Sequence, residues 1–153
     1  MNDLEQVNTH LSVTGDEFIK RVHELQDVLV KLPSVQHIAP PVRHFFGHKT
    51  YVREMFAPCG SIIVGKTHKY DHICIVQHGS ALIYTEHGSF EVSAPYTFEA
   101  KAGAKRIFVA LEDFIFQTVH HTETTDLSVI EEDLIVADCE VQKFRNQLNR
   151  GAV

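Results

Sequence analysis

The chain has 153 residues, of which 44% are hydrophobic and 22% charged, so it holds enough apolar material for one domain core, and wholesale disorder is excluded. A formal net charge of -6, with no basic block, argues against binding nucleic acid. The opening MNDLEQVNTHLSVTGDEF has neither a basic start nor an apolar segment, and no apolar run approaches the roughly 20 residues of a membrane helix; the expectation is a cytoplasmic protein with no membrane partner.

Phe18, Val22, Leu25, Val28, Leu29 and Leu32 recur at helical spacing and predict an amphipathic helix over 14–32, with Thr14 and Glu17 as a capping box and Pro33 as the stop. Pro40-Pro41 marks 39–43 as a connector, so 1–49 reads as a helical segment and connector. From Thr50 to His121 the pattern changes to short β-rich runs: 50–57, 61–64, 73–78, 80–86, 89–93, 96–100, 106–110 and 114–121. Turn signals at Pro58-Cys59-Gly60, Gly79, His87-Gly88, Ala94-Pro95 and Gly103 separate them. The runs are too close together for parallel crossovers, so 50–121 is expected to be a small antiparallel β-barrel and the chain mainly β, with the 1–49 segment packing on the barrel. After Thr122, Asp126 is placed to cap a short helix carrying Leu127, Ile130 and Leu134, and Val141–Leu148 can form another, giving a helical segment over 122–153. Exposed barrel edges and apolar segments at both ends lead to the expectation of a homodimer.

Cys59, Cys74 and Cys139 are odd in number and widely spaced, which fits buried free thiols in a reducing compartment rather than a disulfide framework. The eleven histidines are the unusual count. His68 and His72 stand four apart; in one straight strand they would lie roughly 13 Å from each other, too far to share an ion. Lys69-Tyr70-Asp71 must therefore turn, bringing the two imidazoles together from neighbouring strands. In the run 114–121, alternation puts Phe114, Phe116, Thr118 and His120 on one face and His121 on the other. If that face lines the barrel, His120 points inward.

The stretch from Gly60 through His68 and His72 to Gly79 resembles the first cupin motif, which runs Gly, five residues, His-x-His, three or four residues, Glu, six residues, Gly. Gly60, His68 and Gly79 fall on it; Lys66 stands where the first His belongs and His72 where the Glu belongs. Of the second motif only Gly103 matches, with Pro95, Lys101, Arg106 and Ala110 at the other positions. The resemblance implies a cupin barrel with a metal end. Because Lys66 and Arg106 cannot ligate while charged, a third donor is needed, and His120 is the candidate. The run from Val52 to Leu127 also looks like small cupin-type proteins encoded by tailed bacteriophages, which implies a viral source and the host cytoplasm.

The functional expectation is a metal-binding cupin with a divalent transition ion (Zn, Fe, Mn or Ni) on His68, His72 and His120. It would bind a small anionic molecule, with its transformation left open. Arg106 and Lys66 would orient the negative charge, and Tyr84, otherwise an ordinary strand residue like Tyr70, joins them as a ligand-binding candidate. His44 and His48 read as a polar loop, and His10, His23, His37, His78 and His87 as turn or surface residues. No nucleophile motif, Gly-rich phosphate loop or His-Glu-x-x-His is present, so no catalytic residue is assigned. The alternative is a viral structural or host-interaction protein built on an inert barrel.

Overall fold

Period-two alternation shapes the middle of the chain. In Phe114–His121, Phe114, Phe116, Thr118 and His120 are all buried, and the residues between them are partly exposed. The computed structural model describes residues 3–31 and 39–151. Its strands are β1 (Val42–Gly47), β2 (Thr50–Ala57), β3 (Ile62–Val64), β4 (Thr67–His68), β5 (His72–His78), β6 (Ser80–Thr85), β7 (Gly88–Ser93), β8 (Tyr96–Ala100), β9 (Ile107–Ala110), β10 (Phe114–His121) and β11 (Ile135–Val136). The helices are α1 (Asp3–Leu11), α2 (Gly15–Lys31), α3 (Leu127–Leu134) and α4 (Val141–Gly151).

A five-stranded sheet, β1-β2-β10-β5-β8, faces a four-stranded sheet, β3-β9-β6-β7, and β11 pairs with β4 at one end. The ladders are antiparallel. Register stacks the inward side chains in rows. Tyr51 lies opposite His120, and His72 opposite Ala100. The next row is Arg53, Thr118, Cys74 and Phe98, and the one below it Met55, Phe116, Val76 and Tyr96. Phe108, Phe114 and Phe116 fill the closed end, with ring centroids 4.9 Å apart for Phe108–Phe116 and 5.9 Å for Phe114–Phe116. The outer face of the four-stranded sheet is covered separately. There Tyr84, Ile107 and Val109 pack with Leu11, Phe18 and Val22 of the N-terminal helices.

One turn depends on its glycine. Gly79 joins β5 to β6 at φ 76°, and a Cβ there would meet the Asp113 carbonyl oxygen at 2.0 Å.

The eight expected runs all form strands, and the helix expected over 14–32 is α2. Its stripe is shorter than its spacing suggests: Phe18 and Val22 are buried, but Val28 is 53% exposed, and Leu32 lies outside the described residues. Asp126 caps α3, accepting from the Ser128 and Val129 amides. Three features depart from expectation. The barrel starts at Val42 rather than at residue 50, because β1 pairs with β2 right after Pro41 and cuts the 39–43 connector short. β11 returns from the C-terminal segment to pair with β4. α1 precedes the expected helix and packs Val7 and Leu11 into the outer core. All three cysteines are free, and only Cys74 is buried, so the expectation of buried thiols fails for Cys59 and Cys139. No helix among the described residues is long and apolar enough to cross a membrane.

Candidate metal centre

β4 ends at His68 and β5 begins at His72, so the chain bends between the two, as their spacing requires. The bend is pinned by Asp71, whose carboxylate accepts from the Ala102 amide at 2.8 Å and from Lys101 Nζ at 3.2 Å. The two strands belong to different sheets rather than being hydrogen-bonded neighbours, and the turn carries one imidazole from each toward the lumen. Their ring centroids lie 4.2 Å apart. His120, on the inward face of β10, stands 5.1 Å from His68 and 4.8 Å from His72 by centroid. One ring nitrogen of each lies within 4.8 Å of the others. His121 points outward, 3.4 Å from Glu123.

Each imidazole is tethered by the residue two positions before it. The Nδ1 of His72 lies 3.1 Å from the Tyr70 carbonyl, which can only accept, so Nδ1 carries the hydrogen and Nε2 keeps its lone pair. His68 is hydrogen-bonded to the backbone of Lys66. His120 Nε2 lies 2.9 Å from the Thr118 hydroxyl. Such outer partners fix ring orientation in metal sites. Burial, reinforced by the neighbouring imidazoles and Arg53, holds His68 down to about 2. Burial, His72 and Arg53 bring His120 down to about 4, and burial also lowers His72. At neutral pH all three are uncharged donors.

The cluster opens into a cavity of about 420 Å³, also lined by Tyr51, Arg53, Cys74, Arg106 and Phe116, with Ile130 and Leu134 of α3 at its mouth. A larger groove of about 840 Å³ runs outside the barrel between α3 and α4, but none of its lining residues is a histidine. Arg106 lines the barrel cavity, its guanidinium 5.4 Å from the Phe98 ring centroid. Lys66 reaches the cavity rim but is ion-paired with Glu131 of α3, which answers its charge.

Tyr84 is not at the site. Ala81 and Ile83 take the inward positions of β6, so Tyr84 faces the other way, 1% exposed under α1, with its hydroxyl donating to Asn8 Oδ1 at 3.3 Å. His44 is not in a loop but on β1, 2.7 Å by Nδ1 from the Tyr51 hydroxyl. His48 does sit in a turn. His37 lies outside the described residues, and His23 on α2 has a buried Nε2, so it is not simply a surface group. Tyr51, Arg53 and His44 are site residues that the motif comparison does not reach. Alternation along TYVREMFA places Tyr51, Arg53, Met55 and Ala57 on one face, and that signal is enough to find the first two.

No family model matches the sequence, and no curated protein matches it. Solved structures do. A DMSP lyase, DddQ, from Ruegeria pomeroyi superposes at TM-score 0.52 with 11% identity, over 63% of this chain and 53% of that one. An uncharacterised conserved protein with a double-stranded β-helix domain from Klebsiella pneumoniae gives 0.50 with 17% identity, over 64% and 90%. A cupin-2 domain-containing protein from Shewanella frigidimarina gives 0.45 with 14% identity, over 64% and 92%. The Klebsiella pneumoniae structure carries the conclusion that the barrel is a double-stranded β-helix, the cupin fold. At such identities these structures speak for the fold alone.

Proposed function

We propose that the protein holds one divalent transition metal ion on His68, His72 and His120 and binds a small anionic molecule beside it. The observation that carries this reading is the convergence of three neutral imidazoles, one nitrogen of each within 4.8 Å of the others. An all-imidazole set suits Zn, Fe, Mn or Ni, and three protein donors leave positions open for water or a ligand. An ion held there supplies Lewis-acid polarisation or an activated water.

The chain's own groups have separable tasks. The Lys66 and Tyr70 backbones and the Thr118 hydroxyl aim the imidazoles. Arg106, on the cavity wall, offers a planar fork to an anion. The Tyr51 hydroxyl, hydrogen-bonded to His44, can hold a proton at the rim of the cluster. The reading includes a homodimer, supported by the exposed edge strand β1 with Phe45 and Phe46 on the surface. It also includes a bacteriophage source and the host cytoplasm, supported by the sequence likeness of Val52–Leu127 alone.

Metal analysis of protein purified without an affinity tag tests the reading. The expected result is about one ion per chain in the wild type and none in His72→Ala, with unchanged circular dichroism. Full metal content in His72→Ala would leave the inert-barrel alternative standing.

A further inference from the structure

In an acidic chain arginines are readily paired. Arg21 holds Glu17 at 3.1 Å, Arg43 holds Glu54, and Arg145 holds Glu86 together with Asp16. Arg53 and Arg106 break the pattern. Both line the barrel cavity, and neither has a carboxylate within ion-pair distance among the described residues. The other charges lining the cavity, Lys66 and Glu131, answer each other. Two half-buried guanidinium groups are left with no carboxylate in contact among the described residues, Glu86 acting on Arg106 only from beyond ion-pair distance, which is costly unless something else supplies the charge.

Their placement is specific. Arg53 begins the row Arg53, Thr118, Cys74, Phe98, which crosses four adjacent strands. The Arg106 guanidinium lies over Phe98, at the other end of that row. The ends are three strand spacings apart, roughly 14 Å of backbone. Between them lie only a hydroxyl and a thiol, with Met55 and Phe116 one row below and the imidazoles of His72 and His120 one row above.

We propose that the cavity binds a small dicarboxylate, one carboxylate on Arg53 and the other on Arg106, with its carbon chain lying across Thr118 and Cys74 beneath the three imidazoles. This rests on the reading of the cavity as an anion site and replaces Lys66 by Arg53 as the second anchor. It does not depend on which metal is bound. A guanidinium matches a carboxylate in two parallel hydrogen bonds, and each such contact is charge-assisted. A monocarboxylate of equal length satisfies only one arginine. The cavity, about 420 Å³, is at the small end for ligand pockets.

The test is isothermal titration of the tag-free protein, once chelator-treated and once zinc-loaded, with succinate, glutarate, butyrate and inorganic phosphate. Expected is that succinate or glutarate binds at least about tenfold more tightly than butyrate or phosphate. Arg53→Gln and Arg106→Gln should each bring that ratio to within about threefold, while Arg21→Gln, on α2 outside the cavity, keeps it and zinc stoichiometry stays at the wild-type value. The wild-type comparison needs no variant to fold. Equal binding of butyrate, phosphate as the tightest probe, or no dicarboxylate binding in either metal state overturns the proposal. Zinc uptake, measured separately in the same samples, reports on the metal reading, so a failure of either is told from a failure of the other.

Discussion

The two ends of the barrel interior are built from the same strands and do opposite work. β10 carries Phe114 and Phe116 into the closed end, and four residues further on it carries His120 into the mouth. β2 runs from Tyr51 and Arg53 to Met55 and Ala57, and β5 from His72 to Cys74 and Val76, with the same change from polar to apolar. Both ends are shielded from water by the same ladder. The closed end uses that shielding for aromatic packing, and the mouth uses it to keep imidazoles neutral. The proposed site is made by placing polar side chains where apolar ones would stabilise more.

The largest expected effect breaks the closed end. Phe114 is fully buried among Phe108 and Phe116, so Phe114→Ala should cost about 3–5 kcal/mol, seen in denaturant unfolding. Folded protein that survives should still take up metal, since the cluster lies at the other end of β10. A loss under about 1 kcal/mol would show that the closed end is not the stability centre.

Next is acid. His68 and His120 have folded pKa values of about 2 and about 4, below the ordinary 6.5. The unfolded chain therefore binds more protons than the folded one between those values and 6.5. The metal-free protein should hold its full stability above about pH 6.5 and lose a few kcal/mol as pH falls toward 4, in denaturant midpoints read across that range. His120→Gln should flatten part of that slope. A midpoint independent of pH from 7 to 4 would mean that the three imidazoles are not buried together.

The single-site variants at the mouth come third. His72→Ala should abolish metal uptake while changing stability in chelator by less than about 1.5 kcal/mol, because its ring is half-buried at a rim rather than locked in a core. The smallest effect belongs to Lys66→Met. The Lys66–Glu131 pair is more than half exposed on both sides, so its loss should move stability by no more than about 1 kcal/mol and leave metal content intact.

Much of this architecture is legible in the residues, and the illegible parts have physical causes. Strict alternation in Phe114–His121 tells the buried His120 from the exposed His121 without any coordinates. The four-residue gap between His68 and His72 forces a turn, and one is there. In SALIYT the apolar residues fall on both faces, since one packs the lumen and the other the helices, so parity cannot be read and Tyr84 is assigned to the wrong side. β1 escapes notice because its side chains are mostly exposed and show no alternation. The partner of Lys66 is Glu131, 65 residues further along, and no spacing rule connects the two.

Three imidazoles are proposed to hold one ion at the open end of the barrel. X-ray absorption spectroscopy of the zinc-loaded, tag-free protein measures that coordination directly. The expected spectrum has a first shell containing three imidazole nitrogens at about 2.0–2.1 Å, dropping to two or disappearing in His120→Ala. A shell of oxygen donors alone, or a wild-type spectrum unchanged in His120→Ala, would contradict it.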